Sequence, residues 1–396
     1  MTLYKNLVKK VSISPEMKTK QKNYLDKGAL PIIDQGQEII GGYTNNPDLQ
    51  LPCALPVIVF GDHTRAIKYI DFPFCAGADG IKVLQPKENV LPKYLYYATQ
   101  YLVLRLEDRG YARHYQYIEK KELAVPDVEE QKRIVAKIEE LFSEFDNGVE
   151  TLKKTKQQLA VYRQAVLKEA FEGKFTIHTP CNVELPWASK EDTQSLPDIP
   201  QEWQYIALSN LGDLGRGKSK HRPRNDPKLF EGGKYPFLQT GEVKAAKQYI
   251  TEYSKMYGEF GLQQSKLWPK GTLCITIAAN IAETAFLGID ACFPDSVVGF
   301  TPYEHILPKY VKHFIESQKL RLWAFAPATA QKNINLDTLE NLIVPYCSVE
   351  EQKAVISEIE ARMTICDNIE KTVDTALQQA EAMRQSILKK AFEGEL

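Results

Sequence analysis

Apolar residues recur at alternating spacings of three and four along two stretches of the chain, a pattern that predicts long helices with one buried stripe. In residues 134–169, eight of the eleven positions at this spacing are apolar, and in residues 355–390 nine of eleven are. Pro126 and Pro345 stand just upstream, where a helix can begin but cannot be continued backwards. The pattern persists for about five heptads and therefore favours coiled-coil helices.

The two helical stretches are copies of one another. Residues 129–174 and 350–395 align without a gap, and 19 of the 46 aligned positions are identical, against roughly three expected by chance. Both copies end in the same residues, KEAFEG and KKAFEG, whose glycine commonly ends a helix. We therefore expect two long helices that pack antiparallel against each other within one chain. Dimerisation with a second copy of the chain is the alternative.

Each predicted helix follows a longer segment, and these two segments share an order of elements rather than a sequence. In both, short β-branched runs bounded by Gly, Pro and Asp predict strands, and an aromatic-rich helix then starts at Pro92 or Pro308. We therefore predict an α/β (mixed α+β) fold in which two long antiparallel coiled-coil helices separate two domains, related by a pseudo-two-fold repeat. The predicted divisions are residues 1–127 for the first domain, 128–174 for the first helix, 175–202 for a linker, 203–348 for the second domain and 349–396 for the second helix.

The composition supports packed domains and gives no sign of a membrane-spanning or secreted protein. The chain is 43% apolar and carries a net charge of −1, and its start, MTLYKNLVKK, lacks the apolar run of a signal peptide. The most apolar stretch, residues 273–289, is interrupted by Asn280 and Glu283. Seven cysteines without a Cys-x-x-Cys pair indicate reduced thiols in the cytoplasm and argue against structural zinc.

Residues 212–219, GDLGRGKS, match the pattern of a phosphate-cradling P-loop. Pro223 and Pro227 forbid the helix that must follow such a loop, and no convincing metal-binding strand comes after it. A P-loop ATPase is therefore disfavoured, and we expect a flexible, basic, Gly-rich loop that contacts a phosphate backbone. Asp62 and His63 indicate a polar turn rather than part of a catalytic triad. The chain is thus predicted to bind rather than to react, without a cofactor or metal of its own.

Two domains held at a fixed distance would read two short half-sites of double-stranded DNA with a gap between them. Basic residues are candidates for phosphate contacts, and polar loop residues are candidates for base edges. In the first domain the candidates are Gln35, Gln37, His63, Arg65, Lys68, Arg113, His114 and Tyr115. In the second domain they are Arg216, Lys218, Lys220, Arg222, Arg224, Gln239, Thr240, Lys266, Gln331, Lys332 and Asn333.

The repeated sequences VPDVEEQKRIVAKIEELF and VPYCSVEEQKAVISEIE, together with KEAFEGK and KKAFEGE, resemble the specificity subunit of type I restriction-modification systems. The resemblance extends over essentially the whole chain. It implies that each domain is a target-recognition domain for half of a gapped site, and that the helices fix the gap and dock two methyltransferase subunits. S-adenosylmethionine would then lie on those subunits, ATP and magnesium on restriction subunits, and no catalysis on this chain. One departure is that LVKKVSIS, residues 7–14, is only a short echo of the basic segment at residues 203–219 that leads into the second domain.

Two other functions remain open at this point. A self-standing DNA-binding protein for gapped sites, such as a regulator or an orphan specificity protein, would use the same two domains without a methyltransferase partner. A P-loop enzyme built on residues 212–219 would instead lose turnover when Lys218 is replaced, whereas a DNA-binding protein would lose affinity and salt dependence.

Overall fold

The computed structural model describes residues 1–77, 80–107, 110, 112–181, 183–325 and 333–396. The chain forms two compact units, residues 1–155 with 372–396 and residues 156–371. Each of the two long helices therefore contributes residues to both units. Within the described ranges, no helix is both long and apolar enough to cross a membrane.

The first unit combines short strands with one medium-length helix and the first part of a long helix. Its strands are β1 (Thr2–Leu3), β2 (Val8–Val11), β3 (Leu30–Ile33), β4 (Gly42–Thr44), β5 (Val57–Gly61), β6 (Ile67–Ile70), β7 (Cys75–Ala76), β8 (Ile81–Pro86) and β9 (Glu122–Leu123). Its helices are α1 (Pro92–Leu104), α2 (Tyr115–Ile118), the start of α3 (Val128–Phe171) and the end of α10 (Val349–Glu393).

The second unit contains more strands and helices. Its strands are β10 (Gln204–Ala207), β11 (Gly212–Arg216), β12 (Tyr235–Phe237), β13 (Tyr249–Ile250), β14 (Lys255–Tyr257), β15 (Leu267–Trp268), β16 (Leu273–Thr276), β17 (Thr284–Leu287), β18 (Ala291–Cys292), β19 (Val297–Pro302) and β20 (Ile343–Tyr346). Its helices are the end of α3, α4 (Lys190–Thr193), α5 (Thr240–Ala245), α6 (Glu259–Gln263), α7 (Pro308–Ser317), α8 (Lys319–Phe325), α9 (Leu336–Glu340) and the first part of α10 (Val349–Glu393).

The strand order repeats from one unit to the other. The first unit has sheets β2-β8-β5-β6 and β4-β3-β7, and the second has β11-β19-β16-β17-β13 and β14-β12-β18-β15. The second unit thus reproduces both sheets and adds one edge strand to each, β13 and β15. In both units a two-stranded ribbon, β1-β9 or β10-β20, precedes the long helix. The mixed α/β repeat predicted from the sequence is confirmed.

The first unit has a counterpart of the strand that leads into the second. Val8–Val11 pairs antiparallel with β8, just as Gly212–Arg216 pairs antiparallel with β19. The short echo at residues 7–14 therefore belongs to the repeat, although the two strands share almost no sequence. Edge strands tolerate such divergence because only one side of their backbone is paired.

The Gly-rich stretch at residues 212–216 is a β-strand, so the expectation of a flexible loop there is wrong. Its backbone forms a five-residue ladder with β19 from Gly212 to Arg216. A side chain at Gly217 would collide with the backbone oxygens of Phe293 and Pro294. The glycines therefore allow close packing, and the strand amides that a P-loop would turn toward a phosphate face a neighbouring strand instead.

The long helices run antiparallel within each unit. In the first unit, Arg384 binds Asp146 at 2.5 Å, and Arg133 donates to the backbone oxygen of Leu396. In the second unit, Arg163 binds Asp367 at 2.7 Å and Glu370 at 3.0 Å. Lys156, one helical segment earlier, lies 3.8 Å from Glu370. Along these contacts the residue numbers on α10 fall as those on α3 rise, so the two helices are antiparallel.

The buried stripe departs from the strict heptad that the spacing predicts. Tyr162, Ile369 and Met383 were expected in the seam but are 46%, 39% and 48% exposed. An α-helix with 3.6 residues per turn drifts about 20° per heptad relative to a 3.5-residue repeat. A straight pair of helices therefore rotates some heptad positions out of contact.

The repeated EEQK sequence is explained by one buried glutamine in each copy. Gln352 accepts a hydrogen bond from the Leu307 amide at 2.8 Å and donates to the backbone oxygens of His305 and Cys347. Gln131 repeats this arrangement with the backbone of Leu91, Asn89 and Pro126. Both side chains are fully buried. Each glutamine thus fastens the start of its long helix to the loop before α1 or α7.

Replacing Gln352 with alanine should lower the free energy of unfolding of the second unit by about 2–4 kcal/mol, because the Leu307 amide and the Cys347 oxygen lose this partner and the His305 oxygen loses one of its two donors. All four tryptophans (Trp187, Trp203, Trp268 and Trp323) belong to this unit, so a urea titration followed by tryptophan fluorescence measures its unfolding. Gln385→Ala, on an exposed position of α10, is the control and should change little. Equal effects of the two substitutions would contradict the role given to Gln352.

The repeated AFEG sequence anchors the ends of the long helices. Phe392 stacks on Tyr101 with ring centroids 5.3 Å apart, and Phe171 meets Tyr310 edge-on at 5.1 Å. Gly394 and Gly173 then take positive φ angles of 82° and 75°, the left-handed conformation that ends a helix without steric cost. The aromatic residue fixes the helix end to its unit, and the glycine turns the chain away.

Candidate nucleic-acid interface

The basic segment after β11 divides into residues that hold the segment and residues that extend from it. Arg216 donates twice to the backbone oxygen of Asp295, and Arg224 binds the Asp295 carboxylate at 2.9 Å. Arg222 donates to the backbone oxygens of Ser219 and His221. The guanidinium groups of these three predicted phosphate contacts therefore make hydrogen bonds that stabilise the fold of the segment.

Lys218 and Lys220 are exposed, as are the three arginines of that segment. Among the residues that the structure describes, neither ammonium group makes an ion pair. Their backbone is fixed, because Ser265 donates to the Lys218 oxygen at 2.8 Å and the Lys220 amide donates to Gln264. Nearby Lys266 lies 3.6 Å above the Trp268 ring centroid. The arrangement presents positive charge on a rigid edge, which suits a polyanion.

Gln239 and Thr240 begin the short helix α5, which has no counterpart among the described residues of the first unit. The Gln239 amide donates to Glu242 at 3.0 Å in a capping box, and its side chain is exposed while Thr240 is half-buried. Lys244 on the same helix reaches Asn280 at 3.4 Å. The end of α5 at Lys244 thus lies beside the turn between β16 and β17.

That turn, residues 277–283, was missed by the sequence reasoning. Asn333 forms a β-bridge with Ala278, and the Ile334 amide donates to the Ile277 oxygen at 2.9 Å. Ala279 and Ala282 take positive φ angles of 62° and 61°, and such strained backbone clusters at functional sites. The sequence of this turn, IAANIAE, resembles part of an apolar strand, and only its Asn could have indicated a turn. Gln331 and Lys332 lie outside the described residues.

The first unit joins the same two regions through a buried carboxylate. Asp62, in the turn between β5 and β6, accepts from the Tyr115 amide at 2.9 Å and lies 3.6 Å from Lys82. Its backbone oxygen accepts from the His114 amide at 2.8 Å. Arg65, with a positive φ of 60°, donates to His114 at 3.3 Å. In both units, therefore, the hairpin turn is tied to the segment before the last strand.

Three candidates of the first unit are buried: Lys68, His114 and Tyr115 are 5%, 1% and 3% exposed. Lys68 donates to the backbone oxygen of Asp34 at 2.8 Å, and burial lowers the pKa of its ammonium group although Asp34 opposes this shift. Burial favours supporting roles for these three residues. Gln37 and Arg113 are exposed, and Gln35, His63 and Arg65 are half-buried.

Glu316 fastens the hairpin of the second unit to α7. Its carboxylate accepts from Thr284 on β17 at 3.1 Å and pairs with Lys312 at 2.5 Å and His313 at 3.0 Å. Burial raises the pKa of the Glu316 carboxyl, but the hydrogen bond from His313 and the charge of Lys312 outweigh burial and lower the pKa from 4.5 to about 2.

A depressed carboxyl pKa stabilises the fold above the unfolded value and loses that effect as the pH falls through the folded value. Glu316→Gln should therefore reduce the free energy of unfolding of the second unit by about 1–2 kcal/mol at pH 7. The difference from the unsubstituted chain should shrink between pH 4.5 and about 2. Urea titrations across this range provide the measurement, with exposed Glu304→Gln as control. A difference that persists unchanged to pH 2 would contradict the assignment.

Duplicated α/β units with lysines and amides at exposed turns and edges define a class of nucleic-acid-binding protein. Residues 11–160 and 200–379 match the family of the type I restriction modification DNA specificity domain. The chain belongs to this family, and its predicted resemblance to type I specificity subunits is confirmed.

Individual relatives agree with this assignment. The specificity subunit of the type I restriction enzyme EcoBI from Escherichia coli is 27% identical over 291 residues, covering 69% of this chain and 58% of that subunit. The EcoR124I/EcoR124II specificity subunit from Escherichia coli is 24% identical over 88% of this chain and 83% of that subunit. Among solved structures, a chain from a study of complex assembly and conformational transition of the type I R-M system superimposes with a TM-score of 0.68. It is 16% identical and is matched over 98% of this chain and 92% of that chain.

Proposed function

We propose that the chain is the specificity subunit of a type I restriction-modification complex and reads a gapped, bipartite DNA site. The observation that carries this proposal is the repeat itself: two units of the same strand order each tie a hairpin turn to the segment before the last strand. The two units share a strand order but differ in sequence, which favours the recognition of two different half-sites. The long helices, which contribute residues to both units, would set the length of the gap.

The proposed contacts are divided by the hydrogen bonds that the basic side chains make in the second unit and by burial in the first unit. In the second unit, Lys218, Lys220 and Lys266 neutralise phosphates, and Gln239, Thr240 and residues 331–333 reach base edges. Arg216, Arg222 and Arg224 shape the basic segment. In the first unit, the candidates for DNA contact are Gln35, Gln37, His63, Arg65 and Arg113, while Lys68, His114 and Tyr115 support them.

The proposed complex assigns the chemistry to other subunits. Two methyltransferase subunits dock on this chain, bind S-adenosylmethionine and methylate adenine at N6, and restriction subunits supply ATP-dependent cleavage in the cytoplasm. The strand at residues 212–216 supports a non-catalytic role, because an extended strand paired with β19 cannot wrap its amides around a phosphate as a P-loop does. The specificity subunit then selects the site and leaves the reaction to its partners.

The phosphate contacts can be tested through the salt dependence of DNA binding. Lys218→Ala should lower the slope of log affinity against log salt by about one, and the double substitution Lys218→Ala/Lys220→Ala by about two, because each lysine displaces roughly one counterion. The measurement is fluorescence anisotropy with a DNA duplex and the complex formed with a methyltransferase subunit. Lys353→Ala, exposed at the start of α10, is the control. An unchanged slope in the double variant would remove these lysines from the interface.

A further inference from the structure

Each unit has a cavity beside the end of its aromatic helix. In the first unit it measures about 330 Å³ and is lined by Arg105 after α1 and by Lys120 and Lys121 before β9. In the second unit it measures about 410 Å³ and is lined by Arg321, Asn341 and Leu342. Arg105 lies as many residues after Pro92 as Arg321 lies after Pro308. The pair Lys120 and Lys121, like the pair Asn341 and Leu342, immediately precedes the last strand of its unit. The two cavities therefore occupy the same place in the repeat.

Their charges differ. The cavity of the first unit, here called the basic pocket, is lined by Arg105, Lys120 and Lys121 against one carboxylate, Glu107. In the second unit, neutral Asn341 and Leu342 replace the two lysines, and two carboxylates, Asp192 and Asp337, line the cavity with Arg321. Among the described lining residues, the basic pocket thus has two positive charges in excess, whereas the cavity of the second unit has one negative charge in excess.

One of the two carboxylates that line the second cavity comes from the linker. Asp192, on the four-residue helix α4, and Leu196 both line it. Residues 184–202 contain five acidic residues and one lysine. An acidic segment of polypeptide, with one carboxylate and one apolar side chain, therefore lines one side of the cavity of the second unit. Among the residues that the structure describes, the lining of the basic pocket comes from Arg105–Glu107 and from residues 114–121.

The cations of the basic pocket are available for a ligand. Lys120 and Lys121 are exposed, and neither makes an ion pair in the part of the chain that the structure describes. Arg105 donates only to the Tyr101 hydroxyl at 2.9 Å among those residues. His114 accepts from Arg65 through Nε2, which places its proton on Nδ1, and that buried atom has no partner. The donors of this pocket therefore exceed its acceptors.

We propose that the basic pocket docks an acidic polypeptide segment of a partner protein, as the acidic linker lines the corresponding cavity of the second unit. Carboxylates of the segment pair with Lys120, Lys121 and Arg105, and an apolar side chain packs on Leu106 as Leu196 packs in the second unit. A DNA phosphate is the competing ligand. The acidic segment is favoured because a carboxylate and an apolar side chain of one polypeptide segment, Asp192 and Leu196, already line the corresponding cavity. This inference does not depend on the proposed DNA-binding function.

A fluorescein-labelled peptide with the sequence of residues 184–202 serves as the probe, and fluorescence anisotropy with the full chain gives its affinity. Charge reversal by Lys120→Glu/Lys121→Glu should weaken binding by about tenfold or more, since attraction becomes repulsion. The control is Lys153→Glu/Lys154→Glu, an adjacent exposed pair on α3 with the same change in charge, which should leave binding nearly unchanged. Lys120→Ala/Lys121→Ala, a milder substitution, should weaken binding in the same direction.

A peptide with lysine in place of Glu191 and Asp192 should show the opposite preference and bind the charge-reversed chain more tightly than the original chain. The proposal is overturned if the acidic peptide does not bind, or if it binds the Lys120→Glu/Lys121→Glu chain as well as the original. It is also overturned if these substitutions leave peptide binding intact but reduce the affinity for DNA and its salt dependence. That result would make the pocket a phosphate site.

Discussion

Inserting seven residues into each long helix should lengthen the gap of the recognised DNA site by about three base pairs. Seven helical residues add about 10 Å at 1.5 Å per residue, and a base pair rises about 3.4 Å. Suitable positions are after Gly148 and after Glu381, next to the ion pair between Asp146 and Arg384, so that both helices lengthen in the same layer. Methylated sites mapped for this variant give the new gap.

An insertion into one helix alone is the control. It leaves one helix with seven residues that have no facing layer, so the variant should lose stability or activity rather than acquire a longer gap. If the double insertion yields an active complex with an unchanged gap, the helices do not act as the spacer.

Replacing residues 331–333 with alanine should abolish or relax recognition of one half-site and leave the other unchanged. Each base contact contributes about 1–3 kcal/mol of discrimination, so the loss of two or three contacts should lower affinity for the original site at least about thirtyfold. Arg113→Ala, at the corresponding segment of the first unit, should affect only the other half-site. The measurement is the methylated sequence of each variant.

Changes at both half-sites in either variant would contradict independent reading by the two units. An unchanged sequence in the residue 331–333 variant would move base recognition to other residues of the second unit, with Gln239 and Asn280 the next to test.

The long helices and the repeated fold could be predicted because they depend on patterns that survive in one sequence. Apolar spacing and the duplicated EEQK and AFEG sequences indicated both helices, and the structure shows why these residues recur: Gln131 and Gln352 bind backbone, and Phe171 and Phe392 anchor helix ends. The shared order of strands was visible despite the lack of sequence identity. Such features depend on local backbone conformation and hydrogen bonding, which favour particular residue types that can be recognised in the sequence.

The details of the candidate interface could not be predicted in the same way. Gly212–Arg216 forms a strand because β19 pairs with it, and a glycine-rich sequence does not reveal a partner 85 residues away. The hairpin turn at residues 277–283 is hidden in an apolar run. Lys68 and His114 look like surface residues in the sequence, yet contacts with Asp34 and Arg65 hold them inside. Exposure depends on distant contacts, which composition and spacing do not encode.

The most direct test of the account is a map of N6-methyladenine in a methylation-deficient host that expresses this chain with its methyltransferase subunit. Single-molecule sequencing would detect each modified adenine and its surrounding sequence. If the chain is the specificity subunit, we expect one asymmetric motif with two half-sites and a fixed gap, methylated on both strands. A soluble complex that produces no new methylation, or methylates an ungapped sequence, would contradict the assignment and favour a DNA-binding protein that acts without a methyltransferase.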